Sequence, residues 1–209
     1  MTVDLERAEK LMSELVSLVD HPLYDDSPRI QLSATLAGSS LEFAAAVRLL
    51  CHEGLLLGAN ASLRSQFEAL VRSVWALHRA TDRQVARLMA DLNEETQRAG
   101  KNVPLASEML AELEKMPQLK NLLISLAEFK SSSWLPLNSF VHSGIHAIHW
   151  TKNDVPPQLF DRIFRASNGL ALLAFQSIGI LTGQINVQKE LIAVTASFSS
   201  ILPMRREST

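Results

Sequence analysis

One cysteine in 209 residues, Cys51, rules out an intramolecular disulfide and a cysteine-rich zinc module. It gives no sign of export and reads as a small buried hydrophobe. Aromatic residues make up 6% of the chain and Tyr24 is the one tyrosine, so a base-stacking platform for single-stranded nucleic acid is not expected. A formal net charge of −2 gives no global basic field, and no DNA-reading motif is present. No stretch alternates convincingly with period two, and no hairpin dipeptide joins β-branched runs. No repeat of roughly 20–50 residues is evident. G-x-S-x-G, a P-loop lysine and G-x-G-x-x-G are all absent, which removes the commonest hydrolase and nucleotide-binding signatures. Met1 to Lys10 carries Asp4, Glu6 and Glu9 and lacks the apolar centre of a secretory signal. The most apolar run, Gly169 to Gly183, is interrupted by Gln176 and is shorter than the 18 or so residues of a membrane span. These absences point to a cytoplasmic protein without membrane contact.

What remains is helical. The chain is 47% hydrophobic and 20% charged, a globular balance, and its length fits one domain over residues 1–209. Thr2 or Asp4 can cap a first helix to about Val19, ended by His21-Pro22. Arg29 to Glu53 reads as one long helix, with Gly38-Ser39-Ser40 as a kink or close-packing point. Gly54 to Asn60 is the turn into a helix over Asn60 to Ala80. Thr81 then caps a further helix, with Gln84 as its capping-box partner. Asn93 to Val103 is loop or frayed helix. Helices follow over Ala106–Lys115 and from Pro117 to about Phe129. Ser131-Ser132-Ser133 reads as a linker before a helix over Trp134 to His149. Asp154-Val155-Pro156-Pro157 is a stop and restart, followed by helices over Gln158–Leu181 and Val187–Ile201. About eight helices with short connections make an all-α antiparallel bundle.

Polar chemistry is concentrated in two of these helices. Leu63, Phe67, Leu70, Val71, Val74 and Leu77 give the Asn60–Ala80 helix a buried face. Beside it run Arg64, Glu68 and Arg72, each four residues from the next, so Glu68 can bridge two guanidiniums, with Trp75 closing the same side. Such a stripe is either a structural ion network or an anion site in which Glu68 holds a guanidinium in place. His146 and His149 each fall within about 40° of His142 around a continuous helix. They are packed core histidines, or one of them, His142 foremost, is an acid–base group. The interval from Lys130 to Lys152 has no carboxylate to complete a mixed metal site, and H-E-x-x-H is absent because Ser143 follows His142. No metal and no cofactor are expected. Arg72 and His78 match an Arg-x4–6-His spacing, but six residues turn about 240° around a helix, so the two do not share a face.

The segments Arg64-x-x-x-Glu68-x-x-x-Arg72-x-x-Trp75, Ala80-Thr81-Asp82 and Leu137-Asn138-Ser139-Phe140-Val141-His142-Ser143-Gly144 resemble an uncharacterised family of bacterial cytoplasmic helical proteins. The resemblance covers roughly residues 28 to 182. More loosely, the chain is similar to the HEPN-type helical bundles of toxin–antitoxin and phage-defence systems. That resemblance implies metal-independent ribonuclease chemistry. This chain departs from it, because Arg72 and His142 stand 70 residues apart rather than in one short motif. A site would have to be built by packing the two helices together, so that Arg64, Arg72 and His142 converge around Glu68. The expectations are an Arg64/Glu68/Arg72/Trp75/His146 cluster that is structural or binds a small anionic ligand, with His142 catalytic if the protein is an enzyme at all. A ribonuclease-like toxin or defence effector and a helical partner module of a toxin–antitoxin pair are the alternatives. A homodimer is expected, with RNA or a small anion as the further partner.

Overall fold

The computed structural model describes residues 3–100 and 103–204, and the side chains of all of these but 99 and 100. Among the described residues there are ten α-helices, two short 3-10 turns and no strand. The all-α bundle is as expected, with ten helices rather than about eight. They are α1 (Leu5–Val19), α2 (Pro28–His52), α3 (Leu56–His78), α4 (Asp82–Met89), α5 (Glu94–Gly100), α6 (Ala106–Leu113), α7 (Lys120–Val141), α8 (Ile145–Lys152), α9 (Pro157–Leu181) and α10 (Val187–Ala196).

Local chemistry accounts for these boundaries. Asp4 accepts a hydrogen bond from the Arg7 amide and starts α1, while Thr2 lies outside the described residues. Thr81 and Gln84 form the anticipated capping box at α4. The turn before α3 is shorter than Gly54–Asn60. Gly54 alone takes the left-handed conformation, φ 71°, and the helix resumes at Leu56. The stretch from Asn93 contains a real helix, α5, because Asn93 and Thr96 exchange side-chain-to-amide hydrogen bonds at its start. Ser131–Ser133 is no linker. The Ser131 and Ser132 hydroxyls donate back to the Glu128 carbonyl at 2.9 and 3.0 Å and stay inside α7. The helix also absorbs Pro136 and ends only at Val141.

The frame is an antiparallel pair, α2 and α3. On α2, Ile30, Ser33, Ala37, Ser40, Ala44, Val47 and Cys51 are buried at alternating spacings of three and four, a coiled-coil-like seam. Ser33 and Ser73 exchange hydroxyl-to-carbonyl hydrogen bonds at 3.1 and 2.8 Å. Ser40 donates to the Gln66 carbonyl at 3.0 Å. Seven residues forward on α2 therefore meet seven residues back on α3. Gly38-Ser39-Ser40 is thus a close-packing point, and α2 continues through it. Helix α9 lies on this pair. The Gln66 amide donates to the Ser167 carbonyl at 2.8 Å, and the Ser167 hydroxyl donates back to Gln66 Oε1 at 2.7 Å, all fully buried.

Phe67, Trp75, Phe164 and Phe175 fill the centre of one hydrophobic core that draws residues from α1 through to Leu202. Arg48, buried on α2, reaches Glu9 at 2.9 Å and fastens α1. Helices α6 and α7 pack on α3, and α8 is held by α7. Both α2 and α9 have the length and apolarity of a membrane span, with mean hydropathy 1.3 and 1.2. Each contributes a face to the shared core.

Candidate functional site

Helices α3 and α7 bring the polar cluster together. Arg64 donates through Nε to Glu68 Oε1 at 2.9 Å, one turn along α3. Its guanidinium lies over the Trp134 ring of α7, 5.1 Å from the centroid, a cation–π contact. Its Nη1 faces His142 Nε2 at 3.4 Å. The Arg64 and Glu68 side chains keep 21% and 30% of their surface, so the pair is shielded yet reachable from solvent. His142 is exposed. The platform beneath is apolar, since Phe67 stacks on Phe129 at 4.9 Å and meets Trp134 edge-on at 5.8 Å.

The turn after α7 is what presents His142. Its amide still donates to the Asn138 carbonyl at 3.1 Å, so His142 closes α7 as its C-cap. Ser143 then takes φ 52°, the one non-glycine residue with positive φ among the described residues. Gly144 packs directly on Ser139: a Cβ there would lie 2.7 Å from Ser139 Oγ and 3.2 Å from its carbonyl oxygen. Ser139 Oγ in turn accepts from the His146 amide at 3.0 Å and satisfies the start of α8. Ser139-Phe140-Val141-His142-Ser143-Gly144 is therefore a reversal that ends one helix, starts the next and leaves an imidazole at the corner.

Several expectations need correction. His142, His146 and His149 do not share a helix face, because the chain breaks at 142–144. His146 turns its ring to Phe140, 6.0 Å away, with Nδ1 buried and without a hydrogen-bond partner. His149 packs edge-on to Trp150 at 4.6 Å. Glu68 does not bridge two arginines. Arg64 is its one ion-pair partner among the described residues, and Arg72 forms no ion pair there. Arg72 is half-buried, and its Nε is out of water without an acceptor. Trp75 does not close the cluster. It is buried, and its indole N–H donates to Glu112 of α6 at 2.7 Å.

Trp134 was the residue missed. Trp134, Asn138 and His142 run four apart along α7, matching Arg64, Glu68 and Arg72 four apart on α3. The helix read over Trp134 to His149 already held that stripe, but the histidine spacing drew the attention that Trp134 needed.

The other titratable groups lie apart from the cluster. Burial pushes the Cys51 thiol up to about 12, so it stays protonated at neutral pH and serves as packing. It lines a hollow with Val3, His52, Val155 and Phe160 where α2 and α9 meet the chain's start. Burial lowers the affinity of His78 for its proton below the ordinary value of 6.5. Among the described residues, no three His, Cys, Asp or Glu side chains come together as a metal set.

The geometry defines a helical-bundle protein carrying an aromatic-backed arginine beside an exposed histidine. The chain belongs to a family of unknown function, DUF6988, which matches residues 37–204 and so takes in every residue of the cluster. No curated protein and no solved structure matches it.

Proposed function

We propose that this is a cytoplasmic binding protein whose Arg64–Glu68–Trp134–His142 cluster takes the anionic group of a small ligand. The observation that carries this reading is the guanidinium itself. Glu68 occupies its Nε, Trp134 covers one face, and its outer edge faces the imidazole of an exposed residue. A guanidinium oriented in advance on an aromatic ring loses little freedom when it grips an oxyanion. Arg72 stands two turns along the same stripe, about 12 Å away along the axis, and forms no ion pair among the described residues.

Thermal unfolding in the presence of sulfate, phosphate and nucleoside monophosphates tests the reading. An anion at a hundred times its Kd should stabilise the wild type by about 2.7 kcal/mol. Arg64→Ala should lose that gain while unfolding cooperatively. Equal stabilisation of both proteins would show that the anion binds elsewhere.

The exposure of His142 favours one second reading, metal-independent RNA cleavage. His142 would take the proton of a 2′-hydroxyl. The 2′-oxygen would bond to phosphorus as the bond to the 5′-oxygen breaks, and that oxygen would gain a proton from water. Arg64 would stabilise the charge on phosphorus. Pure wild type that cleaves RNA in chelator, beside an inactive His142→Ala with an unchanged circular dichroism spectrum, would support it. Intact RNA with wild type would leave the binding reading.

A further inference from the structure

Guanidinium nitrogens donate and never accept. In the 3.4 Å contact between Arg64 Nη1 and His142 Nε2 only the ring nitrogen can accept, so a hydrogen bond there needs the imidazole's hydrogen on Nδ1. A fully deprotonated oxyanion such as sulfate on the same edge can only accept, so Arg64 and His142 must both donate to it. We propose that an oxyanion lodges between Arg64 and His142 and that His142 takes up one proton as it binds, which makes affinity depend on pH. This rests on the anion-binding reading above.

The geometry allows it once the exposed imidazole turns its Nε2 edge from Arg64 Nη1 toward the incoming oxygen. Two nitrogens 3.4 Å apart can both donate to one oxygen at about 2.8 Å from each. Charge favours it as well. Arg64 and Glu68 cancel, so with a neutral imidazole the three residues sum to zero. With His142 protonated the cluster gains a full positive charge, facing solvent where a ligand arrives. Among the described residues, the side-chain hydrogen-bond contact of the His142 ring is Arg64 of α3, whose own partner Glu68 is engaged on Nε. Of the titratable groups on α8, His146 is turned to Phe140 and His149 to Trp150, and Lys152 lies at the far end of the helix. The backbone of His142, not its ring, holds the turn, so the ring can change roles without loosening the fold.

Sulfate keeps its charge between about pH 5.5 and 8.5, so a titration with it reads the protein's protons alone. Calorimetric titration of the full chain should give a Kd that weakens about tenfold for each pH unit above the imidazole's own value. In two buffers of different ionisation enthalpy, proton uptake should approach one per sulfate at the alkaline end. His142→Gln keeps a donor that does not titrate and should bind with a flat pH profile. Arg64→Ala should not bind at any pH. A pH-independent wild-type Kd would overturn the proton uptake and leave the anion site standing. A pH dependence that survives in His142→Gln would place the proton elsewhere and also overturn it. Absence of sulfate binding at every pH would reject the site itself.

Discussion

Glu68 holds Arg64 by Nε, while Nη1 faces His142. Because both side chains are shielded but not sealed, breaking the pair should cost less than a buried network and more than a surface bridge. Glu68→Ala is expected to lose about 1–2 kcal/mol, between the ~0–1 of exposed pairs and the ~3–5 of buried ones. A urea titration giving a loss above about 3 kcal/mol would show that Arg72 also depends on Glu68. His78 supplies a pH signature on the same helix. Its folded form releases its proton more readily than the unfolded chain does, because burial disfavours the cation. Between the folded value and about 6.5 the unfolded chain holds more protons, so stability rises with pH through that window and is lost as pH falls through it. His78→Gln should flatten this slope relative to wild type in urea titrations on either side of 6.5. An unchanged slope would mean that another histidine carries it.

At the scale of elements, the α7–α8 reversal decides where the imidazole stands. Gly144→Ala would drive a methyl group into Ser139, whose backbone cannot yield. The expected cost is about 1–3 kcal/mol. His142 should shift with it, so sulfate affinity should fall further than that of a mutation elsewhere on α8. A crystal structure of Gly144→Ala with His142 still on Arg64 would contradict this. The sequence announced α1, α2, α4 and α9 clearly, because their caps and prolines are local signals. It also announced the Arg64–Glu68 pair, which lies within one helix. The break at His142–Gly144 was not legible. It depends on Ser139 sitting against Gly144 and on Ser143 accepting a positive φ, both consequences of how the chain returns on itself. The serine run misled for the opposite reason: polar residues typical of loops are tolerated in a helix when their hydroxyls bond back to its carbonyls. The meeting of Arg64 with His142, 78 residues apart, is tertiary and had only the family resemblance, which pairs the two helices, to suggest it.

For the whole molecule, dimerisation through the C-terminal helices remains the proposal. Much of α9 is committed to the bundle, but Ile180, Ile185 and Ile192 project from the α9–α10 end, at 52%, 95% and 54% exposure. Light scattering at high concentration should return about twice the 23.1 kDa chain mass. Ile185→Asp should shift it toward the monomer. A single-chain mass for wild type would remove the dimer.

The buried Gln66–Ser167 exchange joins residues 101 positions apart. During synthesis the α2–α3 hairpin emerges complete, yet the amide at its centre has no partner until α9 follows. At about 5–20 residues per second the wait is on the order of 5–20 seconds. For that interval the nascent chain shows water a seam shaped for a helix that has not yet been made.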